Sequence, residues 1–266
     1  MSLITLGPEG TFSHDLAVRM KNGEVVLLPT IGKVFSEVIR TGVPGLVPLE
    51  NSEAGGVTAT LDCLMVSPVI ITLEAFLPVH HCLASAVPQD EITHIYAHPQ
   101  SHEQCSRVIE DLNLPVIHTE SNATSALSQK SNPGSGAIIS ESLATRHMIP
   151  VIQKNIENNE VNITRFIKIE RDPGIGIMEN TGYEKCSLLI DPDEDRAGLL
   201  YDLLTPFKQN AVNLTRIESR PSKRSMGRYV FFLDLNCEGG WREAIEELSR
   251  LTRFKYLGCY SRLELT

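Results

Sequence analysis

The stretch Asn162-Ile163-Thr164-Arg165-Phe166-Ile167-Lys168-Ile169 opens polar and closes on alternating apolar residues. That period of two marks a β-strand. Its entrance therefore carries a hydroxyl, a fixed positive charge and an aromatic ring. Arginine offers a planar fork of donors shaped for a carboxylate. The threonine beside it can donate one hydrogen bond to a departing or developing oxygen. The same residues also suit an ordinary strand, because Thr and Phe favour strands and surface arginine is common there.

On either side of this strand, short apolar runs alternate with helical patterns. Residues 2–6 and Val25–Leu28 read as strands, 31–40 as a helix, and Gly45–Leu49 as a strand delivering Glu50-Asn51-Ser52 at its C-terminal end. Ligands gather at that end of parallel α/β sheets. Gly10-Thr11-Phe12-Ser13 enters a helix with Leu16, Ala17 and Met20 on one face, and Thr11 or Ser13 can cap it. Such a turn leaves amide N–H groups for an anion, although it lacks the glycine spacing of a nucleotide loop. His80-His81 lies inside the apolar run 69–87 and reads as structural. His94, His98 and His102 recur at helical spacing, but Pro99 breaks any shared face, so no metal is expected.

Ile92–Ala97 reads as a strand, followed by a helix from Pro99 to about Asn113 that carries Gln104 and Cys105. Val116–His118, Ala137–Ser140 and Val151–Gln153 are further strands, with helices at Asn122–Gln129 and Leu143–His147. This alternation argues for two α/β lobes with a cleft between them. A glycine-rich linker, 171–184, precedes strand 186–190, helix 196–208, strands 212–219 and 227–236, helix 241–253 and strand 255–264. That order is βαββαβ.

With 266 residues, 42% hydrophobic and 21% charged, the composition is that of a globular protein with room for two cores. No apolar run approaches the roughly 18 residues that cross a bilayer, and the N-terminus reaches Gly7-Pro8 too early for a secretory signal. A formal charge of −9 argues against nucleic acid as a partner. Cysteines 63, 82, 105, 186, 237 and 259 are scattered, which reads as buried thiols in a reducing cytoplasm rather than a disulfide framework.

Five stretches in order carry a more specific signal: Gly7-Pro8-Glu9-Gly10-Thr11-Phe12-Ser13, Val47-Pro48-Leu49-Glu50-Asn51-Ser52, His98-Pro99-Gln100 with Gln104-Cys105, Asn162-Ile163-Thr164-Arg165-Phe166, and Glu218-Ser219-Arg220-Pro221. Together they resemble the prephenate dehydratase family over nearly the whole chain, including its C-terminal regulatory module. The resemblance implies a two-lobed, periplasmic-binding-protein-like α/β catalytic domain over 1–170. One lobe takes about 1–76 plus 162–170, and the other about 77–161. Residues 171–184 become a linker and 185–266 an α+β, ferredoxin-like ACT domain.

The implied reaction is decarboxylating loss of the ring hydroxyl of prephenate, giving phenylpyruvate for phenylalanine biosynthesis without a cofactor. Resemblance assigns the catalytic group as Thr164, Glu50, Asn51, Gln104 and Arg165. It adds Thr11, Ser52, His98, Glu120, Ser121, Asn162 and Phe166 to substrate binding. An L-phenylalanine effector site is expected at Gly198, Leu200, Asn213, Leu214, Glu218, Ser219, Arg220 and Pro221, with homodimers or homotetramers forming through the ACT domains. The chain reads as monofunctional and cytoplasmic. Three departures stand out: Ala97 where the family has Ser, Asn122 where it has Thr, and Leu199 beside the expected effector pocket. Two rivals remain: a decarboxylase on the same scaffold that leaves the ring non-aromatic, and a non-catalytic amino-acid sensor.

Overall fold

The computed structural model describes residues 2–20, 23–159, 161–174, 182–224 and 227–264. The chain begins β1 (Leu3–Leu6), α1 (Phe12–Arg19), β2 (Val25–Leu28), α2 (Ile31–Thr41), β3 (Gly45–Asn51) and β4 (Gly55–Gly56). It continues α3 (Thr58–Val66), β5 (Val69–Pro78), β6 (Cys82–Ser85), β7 (Ile95–Ala97), α4 (Pro99–Gln104), α5 (Ser106–Leu112) and β8 (Val116–His118). Next come α6 (Asn122–Ser131), β9 (Gly136–Ile139), α7 (Glu141–His147), β10 (Val151–Lys154) and β11 (Ile163–Arg171). The C-terminal part is β12 (Lys185–Ile190), α8 (Leu199–Gln209), β13 (Leu214–Pro221), β14 (Tyr229–Asn236), α9 (Trp241–Leu251) and β15 (Phe254–Leu263). None of these helices is long and apolar enough to cross a membrane.

Contacts divide the chain into two compact units, and the first comprises Met1–Val34, Leu46–Val57 and Phe76–Phe166. In it β1 and β2 run parallel, Leu3 opposite Val25 and Leu6 opposite Leu28. The buried Thr5 hydroxyl stitches β1 to β3 by donating to the Leu46 carbonyl at 2.9 Å. A five-stranded sheet of order β10-β6-β9-β7-β8 forms the other half. Alternation along β6 and β9 sends Cys82, Ala84, Ala137 and Ile139 to one face, where α6 and α7 cover them with Ala123, Ala126, Leu143 and Ala144. Leu83 and Ile138 point the other way, against Ile95, Cys105 and Ile109. Two cores thus arise from one sheet because strand side chains alternate.

The second unit comprises Phe35–Gly45, Thr58–Ala75 and Ile167–Thr266. Here β12 pairs antiparallel with both β14 and β15, and β13 forms the free edge beside β14. Leu203 and Phe207 of α8 and Ala244, Ile245 and Leu248 of α9 close the core against Leu188, Ile190, Leu233 and Leu235. At the other side β15 pairs in parallel with β5, from Ser261 opposite Leu73 to Leu263 opposite Ala75.

Four expectations need correction. The strand expected at Ile92–Ala97 is only Ile95–Ala97, since residues 89–91 form a 3₁₀ turn capped by the Ile92 amide. The single helix expected from Pro99 breaks at Cys105 into α4 and α5. Asn158 accounts for the break: its backbone N–H donates to the Gln104 carbonyl and its side chain to the Glu103 carbonyl and Ser106 hydroxyl, while its Oδ1 accepts from Arg107 N. Helix α8 starts at Leu199 because Gly198, at φ 78°, is left-handed and cannot lie inside a right-handed helix. Cys186 and Cys259 form a disulfide, being opposite residues of β12 and β15, so the all-thiol reading fails for this pair. A sequence separation of 73 hid that pairing. Residues 175–181 of the expected linker 171–184 lie outside the described residues.

Among the described glycines of the second unit, Gly258 makes the tightest approach to neighbouring backbone. It sits at φ +124°, and a Cβ there would lie 2.2 Å from the Ile71 carbonyl oxygen. Gly258→Ala is expected to destabilise the fold by about 3 kcal/mol, read as a lowered urea midpoint at unchanged slope.

Candidate active site

A cavity of about 320 Å³ lies within the first unit, lined among others by Thr11, Phe12, Asn51, His81, Gln104 and Thr164. Each wall has a local cause. Thr11 caps α1, accepting from the His14 amide at 3.3 Å while donating to the Pro8 carbonyl at 3.0 Å. Its hydroxyl is therefore engaged with backbone, and the start of α1 presents the positive end of the helix dipole beside the cavity. His98 caps α4 in the same manner, its Nδ1 accepting from Gln100 N at 3.3 Å. Burial pulls the His98 pKa below its usual value, aided by the neighbouring His118.

Asn51 is the hub of the site. Its Nδ2 donates to Asn162 Oδ1 at 2.7 Å and to Thr164 Oγ1 at 3.0 Å. Its Oδ1 accepts from the amides of Glu53 and Ala54, each at 3.0 Å. Thr164 accepts from Asn51, so the proton of its own hydroxyl is what it has left to donate. Ser52 reinforces the same junction: its amide donates to the Ile163 carbonyl, and its hydroxyl accepts from Ile163 N and donates to the Val161 carbonyl.

Thr11, Asn51, His98, Gln104, Thr164 and Phe166 of the sequence-derived set line the cavity. Ser52 and Asn162 stand behind it, holding Asn51 and the start of β11. Glu50 and Arg165 face each other at 3.1 Å and are not among the lining residues. Strand alternation explains this, because Thr164 and Phe166 share one face of β11 and Arg165 the opposite one. Glu120 is exposed, and Ser121 accepts from Thr124 N at 3.1 Å as the cap of α6. Neither lines the cavity. Of the departures, Asn122 does line it and accepts from Ser101 Oγ at 2.8 Å. Ala97 is fully buried in the core behind α4 and α5, away from that lining. His81, read from sequence as structural, lines the cavity and faces Gln104 Oε1 at 3.1 Å. Only its position inside an apolar run was visible in the sequence, and nothing there linked it to Gln104.

In the second unit Arg220 pairs with Asp62 at 3.5 Å, and Glu218 pairs with Arg216. Leu199 packs toward the core of that unit. A wider groove of about 460 Å³, lined by Arg196, Asp202, Pro206 and Arg250 among others, holds none of the expected effector residues. Among the described residues the sulfurs of Cys186, Cys237 and Cys259 lie within 4.8 Å of one another, two of them joined in the disulfide.

The sequence profile of the prephenate dehydratase family matches residues 3–174, and that of the ACT domain matches 194–253. The chain belongs to the prephenate dehydratase family. It is 37% identical over 241 residues to the bifunctional chorismate mutase/prephenate dehydratase of Stutzerimonas stutzeri, covering 88% of this chain but only 64% of that protein's length. It is 32% identical to the prephenate dehydratase of Methanocaldococcus jannaschii over 95% of both chains. A crystal structure of prephenate dehydratase from Arthrobacter aurescens, in complex with L-Phe, superimposes with a TM-score of 0.86 at 28% identity. It covers 98% of this chain and 90% of that one. As in that family, the fold is a two-lobed α/β dehydratase region followed by an ACT module.

Glu157 supports one wall of the site, its carboxylate bound by His80 Nδ1 at 2.6 Å and by the His81 amide at 3.0 Å. Burial opposes its charge, yet these hydrogen bonds hold its pKa below the usual 4.5. A carboxylate depressed in the folded state stabilises above its unfolded pKa and loses that contribution as pH falls through the folded value. Glu157→Gln is therefore expected to flatten part of the decline in folding stability as pH falls below the ordinary carboxylate value of 4.5, measured by urea titration at each pH.

Proposed function

We propose that this chain converts prephenate to phenylpyruvate, carbon dioxide and water. The observation that carries the reading is the Thr164 hydroxyl, held by Asn51 at the cavity wall in a chain of this family. The substrate carboxylate leaves as carbon dioxide, its bonding pair moves into the ring, and the ring C–O bond breaks. The departing hydroxide takes a proton and becomes water. Aromatisation makes the step strongly downhill, so the protein has to orient the substrate and support the leaving oxygen. A threonine hydroxyl is too weak an acid to surrender its proton outright, and hydrogen-bond support is the role assigned to Thr164.

The start of α1 at Thr11 takes the substrate's side-chain carboxylate. Gln104 and His98 orient its oxygens, Asn51 acts through the Thr164 hydroxyl that it holds, and Phe166 fixes Thr164 from the cavity floor. Arg165 supplies positive potential from behind β11, its Nη1 donating to Glu50 at 3.1 Å. Ser52 and Asn162 hold the junction, and Glu120 and Ser121 border the entrance at α6.

The ACT module is read as a sensor of L-phenylalanine through Gly198, Leu200, Asn213, Leu214 and the Glu218–Pro221 segment, with assembly through β13, whose free edge suits pairing with a second copy. Domain limits follow the reading above: dehydratase to about residue 170 and ACT from about 185. A cytoplasmic location follows from the substrate class, since the cysteine argument no longer carries it.

Purified protein given prephenate at neutral pH is expected to release phenylpyruvate and carbon dioxide in equal amounts. Carbon dioxide without an aromatic product would overturn the dehydratase reading in favour of decarboxylation. Thr164→Ala is expected to lower kcat roughly 100- to 1,000-fold, with Thr164→Ser keeping much of the rate; near-normal turnover by the alanine variant sinks the role given to Thr164.

A further inference from the structure

His81 lies in the break between β5 and β6 and is 2% exposed. Its backbone amide is tied to Glu157 at 3.0 Å, and its ring meets Phe12 edge-on at a centroid distance of 5.8 Å. Backbone and ring plane are both fixed. Burial pulls its pKa below the ordinary 6.5, outweighing the hydrogen bond to Gln104 and the charge of Glu157, so the imidazole is neutral near pH 7. A neutral imidazole has one N–H and one bare nitrogen.

The partners decide which is which. Nε2 faces the side-chain oxygen of Gln104 at 3.1 Å, an acceptor that requires the proton on Nε2. Nδ1 is buried and has no hydrogen-bond partner among the described residues. In the other tautomer Nδ1–H would be a buried donor without an acceptor, the costlier kind of orphan. The amide of Gln104 is fixed in turn. Turning it over would set its NH₂ against the Nε2–H, and relief would need the disfavoured tautomer. The Gln104 backbone is clamped as well, its carbonyl accepting from Asn158 N at 2.6 Å. With its oxygen committed to His81, Gln104 has only its NH₂ group left for the cavity that both residues line.

We propose that His81 is a positioning residue for the dehydratase reaction: a neutral imidazole protonated on Nε2 that holds the Gln104 side chain with its NH₂ donors toward a substrate oxygen. The inference rests on the dehydratase reading for its kinetic consequence, but not for the tautomer and the amide orientation. A core histidine with a purely structural role would spend its donor on backbone or on a fully internal group. His81 spends it on a cavity-lining amide.

The test combines kinetics on prephenate with ¹⁵N spectra of the histidine side chains. His81→Met, which fills a similar volume without the donor, is expected to lose about 10- to 100-fold in kcat with little change in KM. His81→Gln puts an amide N–H near the position of Nε2 and is expected to recover most of that rate. In a Gln104→Ala background, His81→Met is expected to add no further loss, because the two side chains act as one unit. The wild-type spectrum should show His81 as the Nε2–H tautomer.

Near-normal kcat in His81→Met, a loss of equal size with or without Gln104, or no recovery in His81→Gln would each overturn the proposal. So would an Nδ1–H tautomer. If the wild type makes no phenylpyruvate, the dehydratase reading fails, and the spectra still decide the His81–Gln104 arrangement.

Discussion

The site depends on one side chain amide closing the gap between two strand ends. Asn51 leaves β3 and reaches Asn162 and Thr164 at the entrance of β11, residues more than a hundred positions away. Its donors hold the threonine while its acceptor satisfies the turn that follows β3. One residue therefore ties the backbone path of a hairpin to the rotamer of a hydroxyl. An aspartate of the same shape could accept from the turn but could not donate to Thr164. A leucine could do neither and would leave the Asn162 oxygen without its donor. This is why the stretch reads as a constellation rather than as a strand that happens to contain Thr and Arg.

Charge is arranged in keeping with that geometry. The chain is acidic overall, at −9, and the substrate proposed for it carries two carboxylates. Arg165 is nearly inaccessible and set against Glu50. Removing Glu50 would leave a buried cation, and removing Arg165 would leave a carboxylate beside the site, so the pair holds together as a unit. What the cavity itself presents is mostly dipolar: the start of α1, the amide of Gln104 and hydroxyls. Preorganised dipoles in a water-poor site stabilise developing charge without having to be reoriented during the reaction.

Much of this was legible in the sequence, for identifiable reasons. Strand and helix periods located β2 and β8 to the residue, and the cap of α1 was narrowed to Thr11 or Ser13, of which the structure takes Thr11. Ordered motifs supplied Asn51, Gln104 and Thr164. Features set by distant partners were not legible. The break at Cys105 exists because Asn158 competes for the carbonyls at the end of α4. The disulfide exists because β12 and β15 bring two distant cysteines opposite each other. Arg165 could be expected near a carboxylate, but the face it occupies is fixed by the face Thr164 takes. His81 carried no motif, because its role lies in one contact with Gln104.

The second unit shows why packing and family boundaries differ. The dehydratase profile runs to residue 174, yet α3 and the first part of β5 pack with the C-terminal strands. The contacts are polar and specific. Lys185 of β12 bonds Glu74 of β5 at 2.9 Å, with both side chains largely buried. Lys255 of β15 donates to the Leu64 carbonyl at 2.7 Å and to that of Ser67, capping the C-terminal end of α3 where cations are favoured. Arg220 and Lys223 both meet Asp62 on the same helix. Burial works against its ionisation, but these two cations hold the Asp62 carboxyl below its ordinary pKa. Cations from β12, β13, β15 and the turn after β13 thus grip a helix and a strand that belong to the dehydratase by sequence. Arg220 is also part of the Glu218–Pro221 segment. A rearrangement of β13 that kept its own sheet intact would have to break or carry along the Asp62 contact, and α3 follows β4 directly in the chain, only a few residues beyond Asn51.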